Sequence, residues 1–96
     1  MVETYYFEFD KEKIKKDNVD EKDLHMELDT LFNQIKGIKI KPGVYYTEGK
    51  LGSSITVLMT LSSLPEMRMY LSRFDCEINC CGEIERGSYL DAIIPQ

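Results

Sequence analysis

Ninety-six residues, 11.2 kDa and a formal charge of −5 fit a single domain spanning 1–96. Hydrophobic residues at 43% and charged residues at 30% exclude a disordered chain. No strictly apolar run exceeds three residues (Val57-Leu58-Met59), which excludes a membrane-spanning helix.

Met1-Val2-Glu3-Thr4 lacks the basic start and apolar stretch of a secretory signal, so the expected location is cytoplasmic. The charge is unevenly spread. Residues 1–30 hold ten acids and five lysines (−5), residues 31–50 hold four lysines and Glu48 (+3), and residues 51–96 hold three arginines and six acids (−3). An overall acidic chain is not an indiscriminate nucleic-acid binder, and any anion-binding patch belongs near the middle, around Lys36, Lys39, Lys41 and Lys50. Cys76, Cys80 and Cys81 are an odd number in a short stretch, which suits reduced cytosolic thiols rather than a disulfide framework. A zinc site using these thiols and His25 lacks any Cys-x-x-Cys spacing, so free thiols are expected.

In chain order, Tyr5 to Asp10 alternates as a strand, with Tyr5, Phe7 and Phe9 facing the core and Tyr6, Glu8 and Asp10 facing out. Lys11 to Asp17 reads as a charged connection. Asn18 with Glu21 three residues on resembles a helix start, and Leu24, Leu28, Leu31, Phe32 and Ile35 make its apolar stripe, ended at Gly37. His25 falls on the polar side of that helix, where a solvated histidine is expected.

Ile38 to Lys41 alternates again, with Lys39 and Lys41 sharing a face, and Pro42-Gly43 turns the chain into a strand at Val44-Tyr45-Tyr46-Thr47, closed by the loop Glu48-Gly49-Lys50. Ser53 to Leu64 is β-branched enough for a strand, yet Ile55, Leu58 and Met59 fit a helical face with Ser53 or Ser54 as cap. The need to cover a sheet favours the helix. Pro65 opens another turn in which Met67, Leu71 and Phe74 share a side. Cys76 to Glu85 reads as one alternating strand, with Ile78, Cys80 and Ile84 on one face and Glu77, Cys81, Glu83 and Glu85 on the other. Gly87-Ser88 then turns into an apolar tail from Tyr89 to Ile94.

The resulting order predicts an α+β, ferredoxin-like βαββαβ domain: a four-stranded antiparallel sheet in the order 4-1-3-2, two helices on one face, and a C-terminal tail. The open face is expected to carry Glu77, Glu83 and Glu85 at one edge, Glu8 and Asp10 centrally, and Lys39 and Lys41 opposite.

Phe9-Asp10 at the end of the first strand, Gly43-Val44-Tyr45-Tyr46-Thr47, Leu61-Ser62-Ser63-Leu64-Pro65, Asp75, and the tail Ser88 to Ile94 together resemble the virulence-associated protein D family. These are small toxin-like proteins related to the CRISPR-associated ferredoxin-like nucleases. The resemblance implies a homodimeric, metal-assisted endoribonuclease acting on single-stranded RNA. It implies Asp10 as the catalytic and Mg²⁺-binding acid, and Asp75 as a second catalytic acid. Val44 stands where the family has a serine, and a valine supplies no hydrogen bond. Lys39 and Lys41 are candidates for holding phosphates, and Tyr45 or Tyr46 for stacking a base.

The dimer is expected to form through the open sheet face, the acidic edge of one copy lying along the basic edge of the other. The alternative is a non-enzymatic dimeric binding or inhibitor protein on the same scaffold, its acidic surface taking a basic protein partner.

Overall fold

A computed structural model describes residues 2–48 and 53–93. Within them the chain is α+β: strands β1 (Val2–Phe9), β2 (Ile38–Lys41), β3 (Val44–Glu48), β4 (Leu71–Cys80) and β5 (Glu83–Ser88), with helices α1 (Lys11–Lys16), α2 (Glu21–Gln34), α3 (Ser53–Ser62), α4 (Pro65–Tyr70) and α5 (Leu90–Ile93). The strands form one antiparallel sheet ordered β2-β3-β1-β4-β5, with β1 at its centre. Gly49 and Lys50 of the expected loop and Ile94 lie outside the described residues, as do the side chains of Ser53 and Ser54 that were expected to cap α3.

The core forms where one face of the sheet meets the apolar sides of the helices. Tyr5, Phe7 and Phe9 of β1 point into it, as their alternation predicts, and meet Leu24, Leu28 and Phe32 of α2, Val57 and Leu61 of α3, Met67 of α4 and Ile93 of α5. Aromatic rings carry much of the packing. Phe7 lies 4.8 Å from Phe74, and Phe32 stacks on Tyr45 at 4.3 Å with the planes 4° apart. The region from Ser53 to Ser62 is helical, and Val57 and Leu61, one turn apart, are its fully buried side.

Five strands stand where four were expected. The segment read as one strand from Cys76 to Glu85 is a hairpin, in which Cys81 (φ 56°) and Gly82 (φ 83°) make a two-residue turn between paired Cys80 and Glu83. Two successive positive φ values match the right-handed twist of the flanking strands. The turn also separates the faces. Ile78 pairs with Glu3 on the helix side, while Ile84 lies opposite Asn79 on the other side and is 60% exposed. Glu77 therefore parts from Glu83 and Glu85, and no single acidic edge forms. Gly87 and Ser88, expected as a turn, remain in β5, and the tail closes as α5 with Ile93 buried.

Three further corrections are local. Lys11 to Lys16 is a helix rather than an irregular connection, because Asp10 caps it and Ile14 is buried beneath it. The cap of α2 is Asp20, not Asn18, which instead takes a left-handed conformation (φ 57°) between the two helices. At the far end of α2, Lys36 (φ 60°) occupies the left-handed position and Gly37 N–H donates back to the Phe32 carbonyl. This pattern satisfies two of the carbonyls that a helix end leaves orphaned. Gly37 is needed there because a Cβ would stand 2.8 Å from the Phe32 ring.

Candidate functional site

The end of β1 gathers the most chemistry. Asp10 follows Phe9 directly, and its backbone N–H donates to the Tyr70 carbonyl, fixing it against the start of β4. Its carboxylate caps α1: Oδ1 accepts from the backbone N–H of Glu12 (3.1 Å) and of Lys13 (3.2 Å). Among the described residues no hydrogen bond goes to Oδ2. Asp10 lies between Phe9 and Lys11, both of which line a cleft of about 460 Å³ shared with Glu21, His25, Pro42 and Ser72. The Lys11 ammonium donates to Glu21 and holds that carboxyl below the usual carboxylate range.

His25 enters the same cleft, a role that its place on a polar helix face did not signal. Its ring stands edge-on to Phe9 at 5.2 Å, and Nε2 is 3.7 Å from Glu21. Its Nδ1 is buried with no hydrogen-bond partner among the described residues. The neighbour that encloses it is the Pro42-Gly43 turn. Gly43 (φ +82°) is backed so closely onto β1 that a Cβ would stand 2.6 Å from the Phe7 carbonyl, and it would meet the His25 ring at 3.9 Å. The one legible signal was the spacing of Glu21 and His25, one helical turn apart.

The other expected site residues are scattered. Asp75 lies opposite Tyr6 on the open sheet face, with Arg73 Nε donating to it at 2.6 Å. Tyr6 is four residues before Asp10, so the two acids of one chain are roughly 13 Å apart along the strand direction and do not converge. Lys39 and Lys41 do not share a face. A bulge at Ile40 pairs Lys39 with Tyr45 and Lys41 with Val44, which sends Lys39 to the helix side and leaves Lys41 on the open side. Tyr45 is turned inward, 1% exposed, with its ring stacked on Phe32, so it has no face to offer a base. Tyr46 takes the outward place instead. It is paired with Thr4 of β1, one alternation from Tyr6 on the same open face. The Arg73 guanidinium lies 5.3 Å from the centre of the Tyr6 ring. Val44 is 8% exposed and pairs with Tyr6.

Lys39 and Tyr45 meet at Asp29 of α2: Lys39 Nζ is 3.2 Å from Oδ1, and the Tyr45 hydroxyl donates to the same carboxylate. Burial pushes the Asp29 carboxyl up, but the bonds from Tyr45 and Lys39 outweigh it and leave the group below its ordinary value. The Tyr45 hydroxyl is pushed up by burial and by Asp29. A depressed folded value means stability that is present above the unfolded carboxyl value of about 3.9 and is lost as pH falls through the folded one. Asp29→Asn is therefore expected to be less stable than wild type near neutral pH, and the gap should narrow as pH falls below the ordinary carboxyl value in paired urea titrations. Solvent reaches this carboxylate, which keeps the gap to roughly 1 kcal/mol.

The three cysteines are free. Cys76 is buried, and burial followed by the nearby Glu3 carboxylate pushes its thiol up to about 12, so it is not a nucleophile near neutral pH. Cys80 and Cys81 are exposed at the hairpin tip with their sulfurs 3.6 Å apart.

For a divalent metal the test is the donor set. Among the described residues no three His, Cys, Asp or Glu side chains gather into a metal-binding group. Asp10 offers one carboxylate oxygen per chain. Mg²⁺ keeps several waters and is commonly held by one or two carboxylates together with substrate phosphate, so an ion at Asp10 would have to take the rest of its shell from outside this chain. Compared with known proteins, the chain matches no family model, no curated protein and no solved structure.

Proposed function

We propose that this chain is a metal-assisted endoribonuclease of a toxin-like type, cutting single-stranded RNA as a homodimer on a ferredoxin-like sheet. The observation that carries the reading is Asp10. It directly follows the central strand, beside the Lys11–His25 cleft, with Oδ1 taken up by the helix cap and Oδ2 left for a cation. The run β4-β1-β3-β2 supports the ferredoxin-like part, since it is the order expected of two split crossovers, with β5 added at the edge.

Bound Mg²⁺ supplies Lewis-acid polarisation of the phosphate and an activated water. The chain's own part is to position. The two cap bonds hold the Asp10 carboxylate in one orientation, and a second copy across a two-fold axis brings a second Asp10 without any further ligand. Tyr6 and Tyr46, diagonal neighbours on the open face, suit base stacking, which is indifferent to sequence. Lys41, exposed on that face, suits a phosphate. His25 and Lys11 line the cleft next to Asp10, where the imidazole would pass a proton to the leaving oxygen and the ammonium would offset its negative charge.

The test is cleavage of an unstructured, end-labelled RNA by purified protein, with Mg²⁺ and with chelator. Cleavage is expected with Mg²⁺ alone. Cleavage that continues unchanged in chelator contradicts the reading, as does intact RNA with every divalent ion tried.

A further inference from the structure

The helix layer carries a second concavity, which shares no lining residue with the cleft beside Asp10. It is an open groove of about 430 Å³ between α2 and the α3–α4 segment, with Met26, Leu31 and Leu64 giving it an apolar floor and rim and Thr60 closing one side. Asp23 and Glu27 line it too, and no lysine or arginine does. Glu27 is the unusual member. Its Oε2 is buried and finds no hydrogen-bond partner among the described residues. Burial, then Glu66 and Asp23, raise its pKa. Among the described residues no cation pairs with Asp23, Glu27 or Glu66. A partly buried carboxylate with only like charges nearby, lining an open groove that holds no cation of the chain's own, favours a cationic occupant beside it.

The apolar part of the groove is also under-covered. Met26, which lines it, is 63% exposed. Methionine is unbranched and polarisable, and it recurs at surfaces that adapt to a partner's side chains. The floor wants an apolar side chain and the buried acid wants a cation, so the occupant's chemistry is specified from both directions.

We propose that this groove docks a cationic amphipathic segment of a partner protein, seating an apolar side chain among Met26, Leu31 and Leu64 and a lysine or arginine against Glu27 and Asp23. The acidic rim repels acidic segments and steers basic ones, so specificity comes from charge and affinity from the buried anchor. The site is independent of the nuclease reading, and Asp10→Asn should bind such a segment as wild type does.

The test uses a fluorescein-labelled designed helical peptide with leucines on one face flanked by lysines, and a twin with those lysines replaced by glutamates. Binding is followed by anisotropy and located by amide chemical shifts. The lysine peptide should bind saturably and shift residues of α2 and α3, and the glutamate twin should bind at least roughly tenfold more weakly. Glu27→Gln should weaken the lysine peptide by about tenfold, and Glu27→Lys should reverse the preference between the twins. Met26→Asn changes an exposed rim residue and cannot unfold the core; it should weaken binding by several-fold, which keeps the test valid if Glu27 variants fold poorly. Equal binding of the twins overturns the proposal. So does no saturable binding up to about 1 mM, or shifts confined to the open sheet face. A groove filled by a second copy would appear as a dimer in light scattering that Met26→Asn dissociates, and that also overturns it.

Discussion

Phe74→Ala is expected to cost about 3–5 kcal/mol of folding stability. Phe74 is fully buried on β4, with the Phe7 ring at 4.8 Å, Tyr89 at 5.8 Å and Tyr5 at 6.4 Å. These neighbours belong to β1 and to the segment that leads into α5, so the sheet centre and the C-terminal cover lean on one ring. The cavity left by truncation cannot collapse, because β1 is held by β3 and β4 on its two sides. A domain of this size has roughly 5–15 kcal/mol in all, so the variant should melt some 15–30 °C below wild type. Urea unfolding should give a lower midpoint at an unchanged slope. The matched control is Ile84→Ala. Ile84 is 60% exposed on the opposite face, and its loss should cost no more than about 0.5 kcal/mol. If the two substitutions cost the same, the core does not lie on the face of β4 described above.

That contrast also marks where sequence periodicity stopped being informative. Tyr5, Phe7 and Phe9 alternate with polar residues, so their inward facing was legible, and the leucine stripe of α2 specified its buried side before any partner was known. Ile84 was assigned to the wrong face because the hairpin turn is Cys81-Gly82. Neither Asn-Gly nor Asp-Gly is present to announce two positive φ values, and a strand read through a two-residue turn carries its parity across wrongly. The bulge at Ile40 is similar. Ile38-Lys39-Ile40-Lys41 alternates perfectly as a string, yet the pairing to β3 slips by one residue and separates the two lysines. Tyr45 and Tyr46 are chemically identical neighbours in a strand apolar on both sides, so nothing local chooses which one is buried. The choice falls to the register with β1 and to the Phe32 ring waiting above.

The candidate site was legible in the same partial way. An acid just past an alternating strand is visible as Phe9-Asp10. That Asp10 also caps a helix depends on α1 forming at all, and α1 is a run of lysines and glutamate held down by Ile14 alone. His25 joins the cleft only because the turn at Gly43 closes against Phe7, a contact between segments far apart in the chain. The buried Glu27 oxygen needed the packing of α2 against its neighbours, since an acid on a helix surface gives no sign of which of its oxygens will lose water.

The central claim is that Asp10 is the residue on which cleavage depends, and its capping role allows an unusually clean substitution. Asparagine caps a helix about as well as aspartate, because one side-chain oxygen still accepts from the N–H groups of Glu12 and Lys13. What Asp10→Asn removes is the charge that, in the proposed reading, would hold a cation at the other oxygen. Its stability should stay within a few tenths of a kcal/mol of wild type, whereas Asp10→Ala should lose about 1 kcal/mol through the cap. The decisive measurement is the initial rate at which wild type and Asp10→Asn, purified side by side, cut one unstructured RNA in saturating Mg²⁺, with thermal melts of both. The account predicts coincident melts and a rate at least about 100-fold lower for Asp10→Asn; equal rates from the two proteins would contradict it.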